Sequence, residues 1–512
     1  MRAILFLTTA FCLVLSSTAY AQMGGGMGGM GGGGMGGGGG MGGGGGGRGG
    51  GGRHHGSKGQ GGGNPTGAAP GDARPAAAVL SAAMRLKGLV TVAGETKTLT
   101  GTITSDKPDM SGLYAMREAN VTLDKVSITS TGVASLVADS HAFGINSALL
   151  IDTAAKVHMS GGKIATQGQG ANAAYVNGDD ARLSLTDASL STDGTGAYGI
   201  DVRAGAGLEA TNTAITTGSD HAPAIAAEAG ARPMRLSGGT FTTQGPSSPA
   251  LSLNGDLDAT GITASAGRAE GTVIAGHHRV SFTNSAISAQ GYGVMIYEAS
   301  DGHAEGNGDR LPPSRKDGPQ GEGPADDEAP KGGSVRPVTD MMAPPPGKGP
   351  GIRGLAVTGG KLSGQRAAFY ITNIHAYIAL DNVDISSSEG VILKSTAGQW
   401  GELGRNGGDA VLDAQHQTLT GDFVTDVISH IAVNLSENSH LTGKATHNTD
   451  VTLDATSTWT LTDDSGVGKL TADPAQINSQ GHTLSYDTFR NPLLNDKTIP
   501  LPGGGQLVPS SL

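Results

Sequence analysis

The chain has 512 residues, 88 of them Gly, with 15% charged residues, a formal net charge of −11 and one cysteine, Cys12. The acidic balance argues against a nucleic-acid partner, and one cysteine excludes a disulfide framework. Aromatic residues make up only 4%, which is thin for a cleft that stacks sugar rings.

Met1 to Ala21 reads as a signal peptide. Arg2 supplies the positive end, Ala3 to Leu15 the apolar run, and Ala19-Tyr20-Ala21 a small-x-small cleavage site before Gln22. The apolar run is too short for a comfortable membrane span. Cys12 falls inside it, so the exported chain carries no cysteine and relies on its own core. The expected location is the periplasm, the cell surface or the extracellular space.

Residues 22–78 are glycine-rich, interrupted by Met23, Met27, Met30, Met35 and Met41 and then by Arg48, Arg53, His54, His55 and Lys58. Such a segment buries no core and reads as a disordered tether. Spaced methionines beside a histidine pair could hold soft copper, but the irregular methionine spacing favours the tether.

From Leu89 onward a phrase repeats. Gly, Asp or Asn stands three residues before a large apolar residue, which Ser, Thr or Ala then follows, as in Ser160-Gly-Gly-Lys-Ile164 and Thr211-Asn-Thr-Ala-Ile215. The anchors are Ile103, Ile128, Ile164, Leu190, Ile215, Phe241, Ile262, Ile287, Leu362 and Ile385, at intervals of 25, 36, 26, 25, 26, 21, 25, 75 and 23. A period near 25 residues marks a solenoid. A second alternating run follows each anchor, as in Ala197-Tyr-Gly-Ile-Asp-Val202, and alternation of period two predicts strands. Gly161, Asp187, Asn212, Gly238, Asn284, Gly359 and Asn382 suit corners that need positive φ. The fold class expected is all-β: a parallel β-helix of short strands with ~25-residue coils.

The interval of 75 contains Asp301 to Pro350, rich in Pro, Gly and mixed charge, which predicts a disordered insertion between a first part over 89–300 and a second over 351–490. Removing it leaves one coil, so the solenoid resumes in phase. Leu419, Leu441, Leu461 and Leu484 then recur more tightly and predict capping coils around Trp400 and Trp459. Residues 491–512 read as a tail.

The Gly-Gly-x-Ile and Asn-x-x-Ile phrases, and the run Val451-Thr-Leu-Asp-Ala-Thr-Ser-Thr-Trp-Thr-Leu461 with Asp463-Asp464-Ser465, resemble secreted right-handed parallel β-helix proteins of the pectin-lyase-like superfamily. Within it they look most similar to adhesin-type autotransporter passenger domains. The resemblance covers about Leu89 to Tyr486, the insertion excepted, and implies architecture more than activity. Autotransporters continue into a membrane barrel, and this sequence departs from them there.

That superfamily includes polygalacturonases and calcium-dependent lyases. Asn177-Gly-Asp-Asp180 is similar to the paired-Asp signature of the hydrolases, but no Gly-His-Gly follows and Asn-Gly-Asp is an ordinary turn. Gly276-His-His278 could ligate a metal or act as a base, yet reads as exposed corner histidines. The repeat phase brings no three carboxylates, arginines or lysines together on adjacent coils. No catalytic, cofactor-binding or metal-binding residue is therefore assigned.

If the anchors point inward, flanking hydroxyls point out: Thr129 and Thr131, Ser191 and Asp193, Thr216, Thr242 and Gln244, Thr263 and Ser265, Ser288 and Gln290, Ser386 and Ser388. Stacked coils would align them into a polar ladder. The functional expectation is a secreted, non-enzymatic, adhesin-like rod whose partner is a polysaccharide, matrix or other surface. A polysaccharide-acting lyase or hydrolase with a diverged site is the alternative.

Overall fold

The computed structural model describes residues 86–299 and 353–510, all within the second of two compact units, which begins at Thr66. The signal peptide, the tether over 22–78 and the insertion over 301–350 lie outside the described residues.

Each coil gives one strand to each of three sheets. Ile200–Val202, Gly207–Thr211 and Ala214–Thr217 form one coil, and Ile225–Ala227, Met234–Ser237 and Thr240–Thr243 the next. Stacking builds sheet 1 from 12 strands, sheet 2 from 14 and sheet 3 from 10. Neighbouring strands run parallel, as in Leu183 beside Leu208 and Ala174 beside Ile200. This is a parallel β-helix, wound in the right-handed sense that parallel crossovers take.

Alternation drives it. In Arg182–Thr186, Leu183 and Leu185 are buried while the residues between them face outward. Ile164, Leu190, Ile215 and Phe241 pair directly across sheet 3 and are at most 1% exposed. They form the single inward column that the repeat predicts.

The corner from sheet 2 to sheet 3 is a sharp left-handed bend. All seven residues expected to take positive φ there do so, with φ from 46° to 66°. Only Gly, Asn and Asp adopt that region cheaply. At Gly239 (φ 97°) a Cβ would also lie 2.3 Å from the Thr213 carbonyl oxygen. We expect Gly239→Val to destabilise the rod by at least about 2–3 kcal/mol, read from its denaturant midpoint; an unchanged midpoint would contradict the corner geometry.

The next corner, from sheet 3 to sheet 1, is closed by side chains. The hydroxyls of Thr166, Thr192, Thr217 and Thr243 donate to the carbonyls of Ala171, Ala197, Ala222 and Ser248, five residues on in each coil. Their donors are thereby satisfied inside the rod.

The register corrects several expectations. Phe241 pairs with Ala264, not Ile262, and Ala264 pairs with Ile287. Ile262 is buried at the corner beside Gly261 (φ 64°), so two coils of 23 residues had looked like coils of 21 and 25. Leu441 pairs with Trp459 and Trp459 with Ile477; Leu461 is buried elsewhere, and Leu484 belongs to a later sheet, opposite Ser465. The interval of 36 after Ile128 holds a helix, Val137–Phe143. The residues read as a tail carry the last two strands, Ile499–Pro500 and Gln506–Ser510.

The phase across the insertion holds. Arg279 pairs with Gly354 and Ile287 with Leu362. The chain leaves after the sheet 1 strand Tyr292–Tyr297 and re-enters at the sheet 2 strand Gly354–Thr358. The insertion therefore occupies one corner, between sheets 1 and 2.

Candidate functional site on the outer face of sheet 1

The chain has nine tyrosines, and the fold gathers six of them on the outer side of sheet 1. Leu113 and Ala115 point into the core, so Tyr114 points out; Val176 and Ala174 do the same for Tyr175. Tyr114, Leu150 and Tyr175 form an apolar cluster separate from the main core. Helix Val137–Phe143 lies over this part: Tyr175 Oη donates to the Ala142 carbonyl at 2.8 Å, and the His141 and Tyr198 rings sit 4.5 Å apart.

Beside them stands a charged group that the repeat phase did not reveal. Arg203 Nη1 lies 3.6 Å from Asp201 Oδ2 and 3.1 Å from Glu228 Oε1, and its guanidinium lies 5.8 Å from the centre of the Tyr175 ring. One coil earlier, Asn177 donates to Asp152 at 3.3 Å. Burial, and after it Asp152, pushes the Tyr114 hydroxyl up to about 12. Carboxylates and an arginine thus do meet on adjacent coils, contrary to expectation, because the ends of the sheet 1 strands stack. Asp201 and Tyr175 are fully buried. Their chemistry here is to hold helix and sheet together, since buried charges need partners.

Further along the same face the rings open to solvent. Tyr292 and Tyr370 stack with centroids 4.4 Å apart, and Arg366 lies 5.7 Å over the Tyr292 ring. At the other strand end Tyr297 and Trp400 meet at 4.5 Å. Tyr292, Tyr297 and Trp400 are half-buried, as is Lys394 between them, while Arg366 is exposed. Five residues of strand separate Tyr292 from Tyr297, about 17 Å, which is roughly three pyranose rings. Composition suggested too few aromatics for stacking; the fold concentrates the few there are.

The expected hydroxyl ladder is present on sheet 3. Thr104, Thr129, Ala165, Ser191, Thr216, Thr242, Ser265, Ser288, Ser363 and Ser386 stand in register. Ser288 donates to Ser265 at 3.1 Å. Thr263 belongs instead to the neighbouring column, beside Thr240.

Sheet 2 carries a third polar array, outward and near the C-terminus. His375 Nδ1 is 2.9 Å from Asp409 Oδ2, His430 Nδ1 is 3.2 Å from Asp409 Oδ1, and His430 Nε2 is 3.2 Å from Asp450 Oδ2, an ion-pair distance without hydrogen-bond alignment. Arg490 reaches Asp450 at 2.5 Å. Tyr377 Oη and Asn434 both donate to Asp413, at 2.6 and 2.7 Å.

Asp179 and Asp180 sit exposed on a corner. Asp180 (φ 62°) is paired with Arg182 at 3.4 Å and Arg232 at 2.5 Å. Of the histidine pair, His277 is exposed, while His278 is half-buried with Nε2 3.0 Å from Asn254 Oδ1. Burial pushes the His278 imidazole down. No group of three or more His, Cys, Asp or Glu among the described residues is arranged to hold a metal.

No family model matches the chain, and no curated protein matches it. Among the described residues, no helix is long and apolar enough to cross a membrane.

Proposed function

We propose that the protein is an exported β-helix rod that works by adhesion, binding a polysaccharide along the outer face of sheet 1. One observation carries this reading: six tyrosines and Trp400 share that face, and the half-buried Tyr292, Tyr297 and Trp400 are spaced for a sugar chain. Rings present flat apolar area at low entropic cost, and Arg366 and Lys394 supply donors to hydroxyls. The pectin-lyase-like, adhesin-type resemblance supports the same use.

A glycan array followed by titration of the best ligand tests it. Tyr292→Ala and Trp400→Ala are each expected to weaken binding five- to tenfold, about 1–1.4 kcal/mol, while Thr216→Ala on the hydroxyl ladder leaves it unchanged. The reverse pattern would move the binding face to sheet 3 and sink the proposal.

A second reading, a polysaccharide-acting enzyme, is favoured by the His375–Asp409 pair, since a histidine oriented by a carboxylate is a general acid–base device. On the binding reading no unsaturated uronate is released from pectate. Release that disappears in His375→Gln would make the rod an enzyme.

A further inference from the structure

We propose that the corner between sheets 1 and 2 beside Arg353 is an oxyanion site that takes a phosphate or sulfate group, free or carried on a glycan. The cleft there has a volume of about 290 Å³, with apolar residues such as Ile274, Ile296 and Leu355 in its lining and His277, His278, Arg353 and His375 as its nitrogen groups. It lies on the flank of the aromatic face and does not depend on it, because its residues come from sheet 2 and the corner.

The donors are free to serve a ligand, whereas the nearby carboxylates are already engaged. Arg353 is exposed and has no ion-pair partner among the described residues. Asp409 holds His375 by Nδ1, leaving Nε2 as the nitrogen for a ligand. Asp409 also accepts from His430, Asp413 accepts from Tyr377 and Asn434, and Asp256 accepts the Arg279 backbone N–H at 2.9 Å. His278 stays a wall, held by Asn254 and 3.8 Å from Asp256.

The ligand class follows from the donor set. A guanidinium presents a planar fork of N–H groups that matches two oxygens of an oxyanion. His277 and His375 approach from two other chain segments, so three directions are served. A tetrahedral group offers oxygens to all three, whereas a planar carboxylate offers two. Hydrogen bonds to a charged acceptor in a partly desolvated cleft are the stronger kind.

The test is titration of the full exported chain with sodium sulfate and with sodium phosphate at fixed ionic strength, sodium chloride serving as the reference. Binding is read from histidine ring NMR shifts and by calorimetry. Saturable binding is expected, weakened at least tenfold by Arg353→Gln and also by His375→Gln, and untouched by Arg366→Gln. Arg353 is exposed, so its variant should melt like the parent. A sulfated oligosaccharide is then compared with its desulfated form. Tighter binding than inorganic sulfate places the anion on a glycan, and equal binding makes the free ion the ligand. Shifts that chloride reproduces, or an affinity unchanged in Arg353→Gln, would overturn the site. Because the aromatic face is read with neutral glycan and Tyr292→Ala, either proposal can fail without the other.

Discussion

Trp459→Ala is expected to cost about 3–5 kcal/mol, the range for removing a large buried ring. Trp459 is fully buried between Leu441 and Ile477, and its indole N–H donates to the Gly443 carbonyl at 2.9 Å. The substitution therefore empties a core position and strands a buried acceptor. A solenoid is held by nearest-neighbour contacts, so the loss should first appear as early melting of the last coils. Hydrogen exchange resolved along the chain would show amides beyond Leu441 losing protection before those near Leu190. Uniform loss along the whole rod, or none, would count against this packing account.

The second large effect is a pH dependence centred on His430. Burial alone would lower this imidazole, but Asp409 and Asp450 on either side outweigh burial and hold it up at about 9. A raised folded pKa stabilises fully below the unfolded value of about 6.5 and is lost as pH climbs through 9. Asp409 and Asp450 move the other way. Burial would raise them, yet their hydrogen bonds to His430, and for Asp409 also to His375, hold both below the usual carboxylate range. Their contribution is present above about pH 4 and drains on acidification.

The C-terminal coils should thus be most stable between about pH 4 and 6.5 and lose up to roughly 3 kcal/mol by pH 9.5. Thermal melts at pH 6 and pH 9.5 would measure the drop, and His430→Gln should flatten it. A slope that survives in His430→Gln would assign the effect to other groups.

The architecture was legible because it is repetitive. Gly161, Asp187, Asn212, Gly238, Asn284, Gly359 and Asn382 share one conformational need, and each was visible three residues before an apolar side chain. Where the anchor is small the signal fails: Ala264 carries too little side chain to be noticed beside Ile262. The functional face was hidden for a different reason. Tyr114, Tyr175, Tyr292 and Tyr370 are scattered over more than 250 positions, and only the stacking of sheet 1 brings them to one side. Asp201, Arg203 and Glu228 were missed likewise, because the repeat was anchored on sheet 3 and said nothing about register at the ends of sheet 1. The His–Asp array depends on coils shorter than those earlier in the rod, which shift residues such as Asp409 and His430 into line.

The final pairing has a consequence for assembly. Ile499–Pro500 runs antiparallel to Gln506–Ser510, whereas the pairings before it are parallel. A stack of parallel coils ordinarily ends in a strand edge on which the next chain could be laid, and so templates its own polymerisation. Here the chain folds back over that edge, and Pro500, Pro502 and Pro509 remove backbone donors from it. The C-terminal end cannot seed a fibre. However long the rod and however concentrated the protein, growth by strand addition is blocked from that side.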